Sequence, residues 1–94
     1  MTEAQLTKEI VIALKKNGCF AVKIHGGPYQ VAGLPDIVGC YQGRFFGLEV
    51  KLPGKEHKLT AKQNLTLRRI KEAGGISGMV IDPIQAVDTV IGHE

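Results

Sequence analysis

The sequence predicts a mixed α/β domain over residues 1–94, in the order helix, three strands, helix, strand, helix. Three observations carry this. Two capping-box signals, Thr2 with Gln5 and Thr60 with Gln63, each precede apolar residues at helical spacing. Two runs rich in strand formers, 36–41 and 44–51, are separated only by Gln42 and Gly43, which reads as a hairpin. A strand that returns to the same sheet after a crossover helix implies a mixed sheet with helices packed over it.

Each element has a local reason. After Thr2, the residues Leu6, Ile10, Ala13 and Leu14 keep helical spacing until Asn17 and Gly18 supply a stop. Phe20, Val22 and Ile24 then alternate with Cys19, Ala21 and Lys23, a period-two strand that runs out into His25, Gly26, Gly27 and Pro28. The hairpin follows Gly33, Leu34 and Pro35, and the polar stretch 52–59 reads as a loop. The helix opened by Thr60 includes Leu67 and Ile70 and stops at Gly74 and Gly75. Residues 76–81 form a short apolar strand, after which Asp82 caps a last helix with Pro83 at its first position and an apolar stripe of Ile84, Val87 and Ile91.

The chain has 94 residues, 44% of them hydrophobic and 22% charged, which excludes a second domain and any large enclosed pocket. No apolar run approaches the ~20 residues of a membrane helix, and no export signal precedes the first helix, so the expected location is the cytoplasm. Cys19 and Cys40 lack metal-ligand spacing, which argues against zinc, while counting alone leaves one disulfide open. The net charge of +3 is unevenly placed: residues 51–71 hold seven cations and one acid, giving +6, and the rest sums to −3. Such a stretch suits a polyanionic partner.

The hairpin arithmetic brings two acids together. If Gln42 and Gly43 make the turn, Tyr41 pairs with Arg44, Val38 with Gly47 and Asp36 with Glu49. Directly opposed side chains lie about 4.5–5.5 Å apart at Cβ, where like charges repel, so the pair needs a reason. A three-residue turn would shift the register and separate them. Lys51 follows Glu49 by two residues and shares its face. Two adjacent oxygen ligands suit Mg²⁺, which relieves their repulsion, acidifies a bound water and stabilises charge on a phosphate, with Lys51 beside it to position or deprotonate that water.

Gly33-Leu34-Pro35-Asp36, then Glu49-Val50-Lys51 after twelve residues, with Gly43-Arg44-Phe45 at the hairpin and Gln63 on the next helix, resembles the PD-(D/E)xK nuclease superfamily. More narrowly the chain is similar to the VRR-NUC family, whose small stand-alone members occur in phages and prophages. The resemblance implies a restriction-endonuclease-like αβββαβ core and a Mg²⁺- or Mn²⁺-dependent endonuclease acting on DNA, with a preference for branched or junction substrates. It implies that Asp36, Glu49 and the main-chain carbonyl of Val50 hold the metal while Lys51 activates or orients water. Glu3 matches an acid that binds metal directly or through water, and equally fits an acid favoured by the helix dipole. Gln63 would orient Lys51 or touch a phosphate, and equally fits the third position of a capping box.

For the substrate, Lys58, Lys62 and Arg69 fall near one face of the second helix at spacings of four and seven, a phosphate track or a solvated face. His25 and Tyr29, in the Gly-rich loop, are further candidates for phosphate contacts. His57 and His93 have no constellation around them. A chain this small binds two strands more readily as a homodimer. The competing class is a catalytically silent, nuclease-like module that binds nucleic acid or a protein without cutting, against which the intact Asp36, Glu49 and Lys51 weigh.

Overall fold

The computed structural model describes residues 1–26 and 31–92. Helix α1 spans Glu3–Lys16, strands β1, β2 and β3 span Phe20–Lys23, Ile37–Tyr41 and Arg44–Val50, and helix α2 spans Ala61–Glu72. Strand β4, Ile76–Val80, and helix α3, Pro83–Ile91, complete the chain. Both capping boxes form. The Thr2 hydroxyl accepts from the Gln5 N–H at 3.1 Å while the Gln5 amide oxygen accepts from the Thr2 N–H at 2.7 Å. Thr60 and Gln63 repeat the exchange at 3.1 and 2.9 Å. Asp82 caps α3 through the Gln85 N–H at 2.7 Å, with Pro83 in the first turn where its missing donor costs nothing.

The strands form one sheet in the order β1-β2-β3-β4, antiparallel until β4 returns parallel to β3 through α2. Gln42 and Gly43 both take the left-handed conformation, φ 48° and 82°, that a two-residue hairpin turn requires. The register follows from that turn: Tyr41 pairs with Arg44, Val38 with Gly47 and Ile37 with Leu48, where the ladder ends, and Asp36 lies in the bend just before β2, one step outward on the side of Glu49.

Because side chains alternate, the sheet has two unlike faces. Phe46, Leu48 and Val50 point toward α1 and α3 and join Leu6, Ile10, Leu14, Ile37, Val80, Ala86 and Val90 in the core. Each large member contributes about 1.5–3 kcal/mol by leaving water. The opposite face carries α2 over β3 and β4. A Cβ on Gly47 would lie 2.7 Å from Ile70 Cδ1 and 2.9 Å from Pro35 Cγ, so this glycine lets both the helix and the Pro35 loop seat against β3.

Two patterns that the sequence left unoriented gain a direction in the structure. On β1 the small residues Cys19 and Ala21 are buried, whereas Phe20 is 66% exposed and Val22 also faces solvent. Alternation does not say which face is covered, and α2 does not extend over this half of the sheet. On α3, Ala86 and Val90 are the buried residues; Ile84 is 83% exposed, and Val87 and Ile91 pack partly against the core beside Ala13 and Asn17 of α1. The loop 52–59 includes one turn of 3-10 helix, Glu56–Lys58. Among the described residues no helix is long and apolar enough to cross a membrane, and both cysteines are free, Cys19 buried and Cys40 exposed.

Candidate active site

The open end of the hairpin gathers Asp36, Glu49, Lys51 and Gln63. Asp36 arrives there through the loop before β2. Gly33, at φ 85°, presses its Cα face against α2, where a Cβ would sit 2.9 Å from the Lys62 carbonyl oxygen. Pro35 is buried against Gly47, which fixes the residue that follows it. The Asp36 carboxylate then accepts the Val50 N–H at 2.8 Å, and its carbonyl accepts the Ile24 N–H at 2.8 Å, which ties β1 to the same corner. This loop, rather than the turn chemistry of an Asp after Pro, sets the side chain against β3.

Glu49 sits opposite on β3 and is only 2% exposed. Its Oε1 accepts from the Gln63 side-chain amide at 3.1 Å, and its Oε2 is buried with no hydrogen-bond partner. The capping-box reading of Gln63 is realised, its side-chain oxygen closing the cap of α2, while its side-chain nitrogen donates to Glu49 and not to Lys51. The helix geometry makes this possible: Gln63, Leu67 and Ile70 fall at i, i+4 and i+7 on the stripe that faces the sheet, and Gln63 occupies the turn nearest the site.

The electrostatics follow from this burial. Glu49 is pushed up to about 8, chiefly by loss of water, then by the neighbouring Asp36 carboxylate, with which only the protonated form could hydrogen-bond, and by the Asp36 charge. The Lys51 ammonium pulls in the opposite direction, and Glu3 adds a smaller upward push. Lys51 is 9% exposed, with its N–H donated to the Val80 carbonyl at 3.1 Å. A buried carboxyl opposed to a second acid is a standing cost. Bare, the pair relieves that cost by holding a proton.

The remaining expected residues divide. Glu3, half-buried in the first turn of α1, is close enough for Glu49 to feel its charge, but among the described residues no group of three or more His, Cys, Asp or Glu closes into a metal cluster. The two facing acids stand as a pair. Val50 contributes its N–H to Asp36, which places its peptide in the same corner. Lys62 and Arg69 are exposed on α2, but Lys58 is not on that helix: the Thr60 cap begins α2 at Ala61 and leaves Lys58 in the preceding 3-10 turn. The spacing of four from Lys58 to Lys62 therefore has no helical meaning, which corrects the track to Lys62 and Arg69 with Lys58 as a loop cation. His25 and His57 are exposed, while Tyr29 and His93 lie outside the described residues.

No family model matches the chain, and no curated protein does. Among solved structures it is similar to Hjc, a Holliday junction resolvase of the archaeal hyperthermophile Archaeoglobus fulgidus, at 20% identity and a TM-score of 0.64, over 84% of this chain and 67% of that one. The mixed sheet with its C-terminal helix is thus the restriction-endonuclease-like arrangement that the motif implies, and the chain shares its fold with that protein.

Proposed function

We propose that the chain is a metal-dependent endonuclease that hydrolyses DNA phosphodiesters, with branched or junction DNA as its substrate. The observation that carries this is the buried Glu49, set against Asp36, with Lys51 beside it and one carboxylate oxygen left without a partner. The Asp36 and Glu49 side chains each make one bond to the fold, to Val50 and Gln63, but these leave Glu49 Oε2 buried and unpaired, a cost best explained by a ligand that completes the arrangement. The fold shared with a protein named as a Holliday junction resolvase supports a branched substrate.

The residues fit a hard divalent cation. Every donor offered is oxygen, and a cation would satisfy Glu49 Oε2 and neutralise the opposed charges together. Asp36 and Glu49 would hold Mg²⁺ or Mn²⁺ with the Val50 carbonyl, and Glu3 would join through water. When bound, such an ion supplies an acidified water and charge stabilisation on the phosphate. Lys51 orients that water and offsets the charge that develops on the phosphoryl oxygens. Gln63 holds Glu49 in one rotamer, so the pair is preorganised before the substrate arrives.

Lys58 and Lys62, with Arg69 farther along α2, hold phosphates, and His25 and Tyr29, the latter outside the described residues, are further phosphate contacts in this reading. The VRR-NUC type, phage or prophage origin and a cytoplasmic setting complete the reading, as does a homodimer, because two incisions in a junction require two sites. The test is incubation of the protein with four-way junctions and plasmid in Mg²⁺ or Mn²⁺, with EDTA and Lys51→Ala as controls. Cleavage that needs metal and vanishes in Lys51→Ala is expected. Retained DNA binding with no cleavage of any substrate would instead favour the silent binding module.

A further inference from the structure

A second cationic feature lies on the other side of the sheet from α2. Along α1 and the free edge of β1, Lys8, Lys15 and Lys23 rim a groove of about 530 Å³ over a floor of Ala4, Val11 and Ile12. Ala4, Lys8, Val11 and Lys15 recur at intervals of four, three and four, so they form one stripe of the helix. All three lysines are exposed, Glu3 and Glu9 are not among the lining residues, and Ile12 is an exposed apolar residue in the same groove.

The position of the groove matters more than its charge. One end opens at Ala4 and Gln5, adjacent to Glu3, the acid nearest Glu49 on α1. Lys23 precedes Ile24, whose N–H is bonded to the Asp36 carbonyl. The groove therefore starts at the carboxylate corner and runs away from it, with Lys15 about 10 Å beyond Lys8 along the helix axis. A single phosphate would not span it, but a polymer would. A polynucleotide that crosses the site must continue past it on both sides. Lys62 lies beside Gln63 on one side of the site, and this groove lies on the other.

We infer that the α1–β1 groove is a second phosphate track, which holds the DNA arm leaving the carboxylate site on the side away from α2. This rests on the nuclease reading above. Lysine ammoniums contact the backbone while their stems, with Val11 and Ile12, lie against sugars. An acidic extended peptide would satisfy the same rim, but nothing about a peptide explains why the groove begins at the catalytic corner.

The experiment measures binding of a labelled four-way junction in EDTA across 50–200 mM salt, for the wild type and for Lys8→Gln/Lys15→Gln/Lys23→Gln. Each phosphate contact adds about 0.9 to the slope of log affinity against log salt. The triple variant is expected to lose at least about tenfold in affinity and roughly 2 to 3 in slope, and the corresponding triple arginine variant is expected to keep the slope. Thermal melts of both variants show whether the fold is intact. A slope unchanged in the glutamine variant would overturn the inference, as would a polyglutamate peptide that binds the wild type through these lysines while junction affinity stays the same. Cleavage assays run in Mg²⁺ separate the two ideas: wild-type cleavage with an unchanged slope sinks the track alone, and a reduced slope with no wild-type cleavage sinks the nuclease reading alone.

Discussion

The two ends of the β2–β3 hairpin are built on opposite principles. At the turn, Gln42 and Gly43 adopt the left-handed conformation that a two-residue hairpin requires, the flanking Arg44 donates to the Gly74 carbonyl at 3.0 Å, and the polar side chains are in water. At the open end, five residues beyond Arg44 on the same strand, the chain buries Glu49 near Asp36 and leaves an oxygen unpaired. One end is locally satisfied and the other is not. The register brings the two acids to one corner, and Gly33, Pro35, Gly47 and Gln63 hold them there: the two glycines allow close packing, Pro35 seats the loop and Gln63 bonds Glu49.

The largest difference between the two ends should appear in activity. Lys51→Ala or Asp36→Asn is expected to lower the rate of junction cleavage at least about 10²-fold, while Gly43→Ala at the turn should leave the rate unchanged in the same assay. Next comes the pH dependence of the metal-free protein. Glu49 ionises near 4.5 when unfolded and near 8 when folded, so between these values the folded state binds more protons and stability falls as pH rises. The stabilisation is complete below the lower value and lost above the upper one, on the order of a few kcal/mol. Urea unfolding at pH 5 and pH 8.5 should show it, and Glu49→Gln should flatten it.

Packing comes third. Gly47→Ala must displace Ile70 or Pro35 and is expected to cost about 1–3 kcal/mol in urea unfolding. Gly43→Ala meets no atom within contact distance and is expected to cost only the left-handed backbone, about 1 kcal/mol. The smallest effect is Asp36→Asn without metal at pH 9. The amide oxygen can still accept the Val50 N–H while one of two opposed charges disappears, so stability should rise by up to about 1 kcal/mol. A large loss in a thermal melt would show that Asp36 is held there as a structural cap instead.

Much of this was legible where short-range chemistry decides. Gln42 and Gly43 set the register that opposes Asp36 and Glu49, and the Thr60 to Gln63 spacing marked the start of α2. What sequence alone does not give is which face of an element is covered. Alternation on β1 was visible, but burial of Cys19 and Ala21 in place of Phe20 and Val22 depends on where α1 and α2 sit. The spacing of four from Lys58 to Lys62 imitates a helical face, although the Thr60 cap already puts Lys58 outside α2. Lys8, Lys15 and Lys23 are scattered compared with the dense cations after Lys51, and their one mark in the sequence is the interval of seven from Lys8 to Lys15 on the stripe of Ala4 and Val11. That Gln63 both caps α2 and holds Glu49 needs the helix and the sheet together, which no spacing reveals.

Calorimetric titration of Mn²⁺ at pH 7 in two buffers of different ionisation enthalpy tests the central claim, that the opposed acids form a metal site, most directly. Because Glu49 holds a proton until about pH 8, cation binding should release about one proton per site, and both binding and release should be lost in Glu49→Gln. Binding that persists undiminished in Glu49→Gln and Asp36→Asn, or no binding to the wild type, would contradict it.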